Sequence, residues 1–223
     1  MPVPPSLSEL RQLLAARFPP SPRRDHSVVP TGVAGLDEPL SGGLPAGAFT
    51  EIICAGSAGG GLVLHAALHT TRIARQRVGL IDAADSFCAD EIPAGLLDHL
   101  VWARGGGGGS SASGDLKNIW SVADLLLRDP HFALVVLDLR GVSERELLRT
   151  PSATWYRLQH ALEASRVAAL VFSTTAVVPC ARHRFRLDDT LRAPAWTDER
   201  TGLSAALRPA HERQRQQPRS LSA

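Results

Sequence analysis

The sequence predicts an α/β fold with a mainly parallel β-sheet, helices on both faces and a short antiparallel C-terminal hairpin. The segments "RVGLID", "FALVVLDL" and "VAALVFSTT" are apolar runs of the kind found in strands that are covered on both faces. Helical patterns lie between these runs, and such alternation is typical of parallel sheets. The short alternating runs "RHRFRLD" and "GLSAALR" predict the hairpin.

Size and composition fit a single domain. The chain has 223 residues, of which 44% are hydrophobic, and this is enough for a substantial core. It contains no long apolar run and no apolar signal-peptide segment, so we expect a cytoplasmic protein without a membrane contact. Cys54, Cys88 and Cys180 are widely spaced without a CxxC pair, which argues against a disulfide framework and a zinc site.

The first 27 residues are predicted to form an amphipathic helix followed by a Pro-rich linker. Ser6 and Glu9 have the spacing of a capping box. One face of the helix would carry four apolar side chains, namely Leu7, Leu10, Leu14 and Phe18. We expect this arm to dock on its own body or on a neighbouring protein.

Residues 28–208 are predicted to form the core, in which residues 105–114 are a flexible Gly/Ser loop. A turn at Gly42 and Gly43 precedes a strand at Phe49–Cys54. We then expect, in chain order, a helix at 62–75, a strand at 77–82, a strand near 100–103, a helix at 119–129, a strand at 132–139, a helix at 154–166 and a strand at 167–175. The last residues, 209–223, read as a basic mobile tail because they lack apolar periodicity.

The segment "EIICAGSAGGGLVLHAAL", from Glu51 to Leu68, has the layout of a phosphate-binding loop. A working loop needs backbone N–H groups that converge on phosphate, a lysine that reaches the outer phosphates and a hydroxyl that holds magnesium. The lysine is missing here, and Lys117 is the only lysine in the chain. The glycine run is therefore interpreted as a tight strand-to-helix turn, with residual phosphate binding as the alternative.

The motif "TGVAGLDEPLSGGLPAGAFTEI" and the segments after it resemble the ATPase core of the RecA family, over about residues 28–175. The resemblance implies a RecA-like fold and aligns Gly59 with the conserved loop glycine, Gly60 with the lysine and Gly61 with the magnesium-binding hydroxyl. It aligns Ala84 with the glutamate that activates water. The degenerate nucleotide loop would thus comprise the five residues Gly56, Ser57, Gly59, Gly60 and Gly61, together with the surviving strand-end acid Asp138.

Because several catalytic groups are absent together, we expect a pseudo-ATPase without cofactor or metal. Among RecA-like proteins the chain looks most like the ImuA family of bacterial mutagenesis cassettes. That likeness rests on the retained N-terminal motif, the lost lysine, the helix bearing Trp155 and the basic segment after "RFRLDD". It implies an accessory role in SOS-induced translesion synthesis, a form of DNA damage tolerance. The implied partners are an ImuB-like polymerase subunit, an error-prone replicative-type polymerase and RecA.

Charge is concentrated near the C-terminus, since residues 182–223 carry a net charge of +4 and residues 1–181 a net charge of −2. On the predicted strand "RHRFRL", three arginines share one face, and His183 and Phe185 share the other. The candidate partner or DNA contacts are Arg182, Arg184, Arg186, Arg208, Arg213 and Arg215, together with Leu10, Leu14 and Phe18 of the arm. Single-stranded DNA, an acidic protein and a solvated edge strand remain alternatives for the arginine row.

Other constellations favour structural interpretations. His65 and His69 have metal-ligand spacing without a third ligand, so they are interpreted as ordinary helix residues. The acidic residues that follow the strand at 77–82 read as a solvated loop. Two functional alternatives to the accessory role in translesion synthesis remain open, a weak nucleotide-dependent switch or ATPase and a cell-division inhibitor similar to SulA. Tyr156 and Trp155 would be interface anchors if they were exposed.

Overall fold

The computed structural model describes residues 28–54, 58–105, 112–188 and 200–214. Its strands are β1 Val28–Val29, β2 Leu44–Pro45, β3 Phe49–Cys54, β4 Arg77–Asp82, β5 Leu100–Arg104, β6 Phe132–Asp138, β7 Ala168–Ser173, β8 His183–Leu187 and β9 Ala210–Gln214. Its α-helices are α1 Ala34–Asp37, α2 Gly60–Ile73, α3 Ala112–Arg128, α4 Glu144–Leu148, α5 Ser152–Ser165 and α6 Arg200–Ala206. The predicted arm with Leu10, Leu14 and Phe18 lies outside the described residues.

The predicted fold class is confirmed. Among the described residues, seven strands form one sheet in the order β5-β4-β6-β7-β3-β8-β9, and every neighbouring pair is parallel except β8 and β9. Strands β1 and β2 form a separate antiparallel pair. No helix among the described residues is long and apolar enough to cross a bilayer.

Two apolar layers cover the sheet, one on each face. Helices α3 and α5 pack on one face, where Trp155 lies between Phe49 and Trp120, with ring centroids 5.9 and 4.9 Å away. Helix α2 and residues 29–44, here called the N-terminal segment of the described chain, cover the other face. Trp155 is only 1% exposed, so it is a core residue and does not meet the condition of exposure that an interface anchor requires. Tyr156 is 49% exposed.

The C-terminal region differs from the predicted hairpin in the segment that pairs with β8. Strand β8 forms as expected, but "GLSAALR" lies mostly in helix α6, and the antiparallel partner of β8 is β9. Leu203 and Leu207 are both buried, and this four-residue spacing suits one face of a helix. The first part of the predicted mobile tail is therefore an edge strand, while Arg215 lies outside the described residues. Helix α3 likewise begins inside the predicted Gly/Ser loop, at Ala112.

The "TG…LD" motif is a hydrogen-bonded turn. Asp37 Oδ1 accepts from the backbone N–H and the hydroxyl of Thr31 at 2.9 and 2.8 Å, and its Oδ2 accepts from the N–H of Gly32 at 2.9 Å. Burial raises the pKa of Asp37, and the bonds from Thr31 and Gly32 partly offset that rise. Gly32 has φ +79°, and a β-carbon there would lie 2.5 Å from the hydroxyl of Thr70 on α2. The motif thus fixes residues 31–37 of the described chain against α2.

Replacing Asp37 with Ala should lower the free energy of unfolding by about 2 kcal/mol, because the buried hydroxyl and N–H of Thr31 lose their acceptor. Urea denaturation followed by circular dichroism measures the change. The exposed neighbour Glu38 provides a control, since Glu38→Ala should alter the free energy by less than about 0.5 kcal/mol. Equal effects of the two substitutions would contradict this role of Asp37.

Candidate functional site

The candidate site lies at the carboxyl ends of β3, β6 and β7, where α2 begins. The parallel register aligns Asp138 on β6 with Phe172 on β7, and β3 ends close by at Cys54. Gly59 is the N-terminal cap residue of α2 with φ +87°, a conformation that favours glycine. Gly56 and Ser57 of the predicted loop lie outside the described residues. The structure therefore brings the aligned positions Gly59, Gly60 and Asp138 into one region.

An arginine that the sequence reasoning missed occupies this region. The guanidinium of Arg140 donates to both carboxylate oxygens of Asp138, with Nε 2.9 Å from Oδ1, and it lies 5.1 Å from the ring centre of Phe172. Asp138 is 2% exposed, so the arginine neutralises a buried carboxylate. Burial would lower the pKa of Arg140, but hydrogen bonding to Asp138 and its charge outweigh this effect and raise the pKa.

Gly60 stands directly against this guanidinium. A β-carbon on Gly60 would lie 2.4 Å from Nη1 of Arg140 and 2.9 Å from the sulfur of Cys54, so any side chain there would displace one of them. A lysine at position 60 is therefore incompatible with the observed position of the Arg140 guanidinium. Burial raises the pKa of the Cys54 thiol to about 11, which keeps the thiol protonated and weakly nucleophilic near neutral pH.

The position that the resemblance aligns with a catalytic glutamate is also tightly packed. A β-carbon on Gly141 would lie 2.2 Å from the β-carbon of Ala84, so the loops after β4 and β6 touch at this point. The neighbouring Asp85 has φ +54° and pairs with Arg104 on β5, with Oδ1 2.7 Å from Nε. The hydrogen bond from Arg104 lowers the pKa of Asp85.

The C-terminal segment covers the loop glycine from another side. A β-carbon on Gly59 would meet side-chain carbons of Leu207 at 2.7 Å and of Leu187 at 3.2 Å. Leu207 is 1% exposed and follows α6, which packs on α2. Pro209 likewise packs on Gly35, where a β-carbon would lie 2.7 Å from Cδ of the proline. The segment predicted to be a hairpin arm thus packs against the beginning of α2, and Pro209 of the predicted tail packs against α1.

The predicted arginine row is not a continuous cationic surface. Arg184 turns inward, and its Nε donates to Glu51 Oε2 at 2.7 Å while another guanidinium N–H donates to the carbonyl of Val178. Glu51 is fully buried, and its Oε1 also accepts from the backbone N–H groups of Val177 and Val178. Arg184 is therefore a structural residue that holds the loop between β7 and β8, and it is not an exposed contact.

The other predicted cations have different surroundings. Arg186 pairs with Glu212 across the β8–β9 edge, and both side chains are partly exposed. Arg208 donates to the carbonyls of Ala205 and Leu207, and so it caps the end of α6. Arg182 is half-buried directly before β8. The structure describes Arg213 only as a backbone position on β9, where it lies in register with Arg184.

Asp82, the last residue of β4, has structural partners. The carboxylate of Asp82 accepts from the backbone N–H groups of Ser86 and Phe87, so it organises the turn after β4. Gly61 on α2 has free space beside it, because no described heavy atom lies within 4 Å of where its β-carbon would be. Among the described residues, no three His, Cys, Asp or Glu side chains come together as a metal site.

No family model matches this chain, and no curated protein is significantly similar to it.

Proposed function

We propose that this chain is a non-catalytic RecA-like accessory protein of DNA damage tolerance. It would act in SOS-induced translesion synthesis through contacts with an ImuB-like polymerase subunit, an error-prone replicative-type polymerase and RecA. The support is the motif "TG…GGLPAG", the mainly parallel sheet and the altered strand-end region. A cytoplasmic location belongs to the same proposal.

The observation that carries the non-catalytic part is the contact between Arg140 and Gly60. The guanidinium is held on Asp138 and lies against the residue that aligns with the phosphate-binding lysine. A lysine at position 60 would have to displace the guanidinium of Arg140. The buried carboxylate of Asp138 would then be left without a cation. The packing thus favours a protein in which this region has a structural role.

Partner binding tests the proposal. Purified chain should form a complex with an ImuB-like subunit, and Mg–ATP should change the dissociation constant by less than about twofold, or about 0.4 kcal/mol. Fluorescence anisotropy with labelled partner measures this constant. Arg182→Ala and removal of residues 215–223 should each weaken the complex, whereas Arg166→Ala on the exposed C-cap of α5 serves as a matched control. A complex that forms only with ATP, or no complex at all, would contradict the proposal.

Arg140 also favours a second candidate, a nucleotide-dependent switch. It is a cation close to the N-terminus of α2, and helix N-termini attract anions. In this candidate Arg140 would leave Asp138 and bind phosphate when a nucleotide enters. Equilibrium dialysis with Mg–ATP, with and without single-stranded DNA, separates the two candidates. Saturable binding at micromolar ATP that is lost in Arg140→Leu would favour the switch, provided that the variant remains folded by circular dichroism.

A further inference from the structure

The last strand of the sheet is joined to its neighbour through a pair of histidines. Nδ1 of His183 on β8 lies 3.4 Å from Nε2 of His211 on β9. The ring of His211 also stacks on Phe185, with centroids 4.4 Å apart and planes inclined by 12°. His183 is 5% exposed, whereas His211 is exposed. One buried and one solvated imidazole thus meet at the junction of β8 and β9.

We propose that His183 and His211 form a proton-operated latch that holds β9 on the sheet near neutral pH and releases it in acid. At neutral pH one uncharged imidazole can donate to the other. When both imidazoles are protonated, the two facing nitrogens are both donors, so neither can accept a hydrogen bond from the other. Two positive charges then face each other across the 3.4 Å between these nitrogens. The latch is independent of the proposed function, because it concerns only how the edge strand is held.

The surroundings of His183 offer little compensation for a positive charge. Arg182 directly precedes β8, and Arg184 on β8 points to the opposite face, where it pairs with Glu51 of β3. On β9 the nearest described acid is Glu212, which pairs with Arg186. Thr50 of β3 lies in register with His183, and its buried hydroxyl has no hydrogen-bond partner among the described residues. No carboxylate among the described contacts therefore stabilises a protonated His183.

The direction of the pH effect follows from this environment. Burial, then the charges of His211 and Arg182, lower the pKa of His183 from 6.5 to about 4. Released or unfolded chain takes up the proton near the ordinary pKa, whereas the closed strand does not. Attachment of β9 is therefore fully favoured above about pH 6.5 and weakens progressively as the pH falls towards 4.

Position in the fold makes β9 the element that would detach. It is the terminal strand and pairs only with β8 among the described elements, through a register interrupted between Arg184 and Phe185. Strand β8 also pairs with β3, and Glu51 holds Arg184 there, so β8 remains in the sheet. The expected release is thus local and leaves the interior strands intact.

Hydrogen exchange tests the latch on the full chain. Between about pH 7.5 and about pH 5, corrected protection of the β9 amides should fall roughly tenfold or more, while β6 stays protected as an internal reference. His183→Leu should abolish this pH dependence and keep β9 protected at both values. His160→Leu removes an exposed histidine of α5 and should leave the response unchanged.

Two further measurements keep the inference falsifiable if His183→Leu does not fold. His211→Phe retains a ring against Phe185 without a second charge, and it should reduce the pH response. Direct NMR titration of the wild-type imidazoles should place the pKa of His183 below about 5. The latch is overturned if β9 protection does not depend on pH, if His183→Leu and His211→Phe both respond as wild type does, or if His183 titrates near its ordinary value.

Discussion

Replacing Glu51 with Leu should lower the free energy of unfolding by about 3–5 kcal/mol, because it leaves the guanidinium of Arg184 buried without its counter-ion. The change also removes the acceptor for the N–H groups of Val177 and Val178, which lie in the loop before β8. Arg184 is only 14% exposed at its side chain, so water cannot fully replace the carboxylate. Urea denaturation at constant ionic strength measures the loss.

The pair between Glu212 of β9 and Arg186 of β8 offers a matched control, because Arg186 lies on the same strand as Arg184. The same change, Glu212→Leu, removes the partner of an arginine whose side chain is 41% exposed, so its cost should be below about 1 kcal/mol. Equal losses for the two variants, or a Glu51→Leu loss below about 1 kcal/mol, would rule out an essential role for the buried pair.

Removal of the guanidinium beside Asp138 is expected to have a similarly large effect. Arg140→Leu should cost about 3–5 kcal/mol, because the carboxylate of Asp138 is almost fully buried and would lose its only described cation. The double variant Asp138→Leu/Arg140→Leu should recover a large part of this loss, since it removes both charges together. Thermal and urea unfolding of the single and double variants give the coupling energy.

An exposed pair again provides the comparison. Arg128 and Asp124 are four residues apart on α3, and Arg128→Leu should cost less than about 1 kcal/mol. If Arg140→Leu were as mild as Arg128→Leu, the strand-end region would not depend on its ion pair. If folded Arg140→Leu gained saturable ATP binding, Arg140 would be an occluding residue over a competent site, and the non-catalytic proposal would fail.

Sequence patterns predicted the interior strands more successfully than the ends of the chain. Strands β6 and β7 are apolar along almost their whole length because helices cover both of their faces, and that burial is visible in composition. The segment "GLSAALR" is too short for its period to separate a helix from a strand. It becomes helical where Leu203 and Leu207 can both be buried, and this choice depends on contacts that the local pattern does not encode.

The candidate site was only partly accessible from sequence. Alignment with the motif of the RecA-family ATPase core, which this sequence resembles, predicted that Gly59, Gly60 and Asp138 lie in one region. The reason is that the carboxyl ends of parallel strands share an edge of the sheet. Arg140 directly follows the strand "VVLDL", and its position two residues after an acid was the available signal. The inward turn of Arg184 had no such signal, since its acceptor Glu51 lies 133 residues earlier in the chain.

The sequence by itself determined the α/β class, the strand-to-helix glycine turn and the missing lysine, because period, composition and residue identity are local properties. Only the tertiary structure decided which arginine meets which carboxylate and which segment covers the start of α2. Those outcomes depend on distant side chains sharing one buried space, where an unpaired charge is costly and each cation is held by the carboxylate that the fold brings within reach.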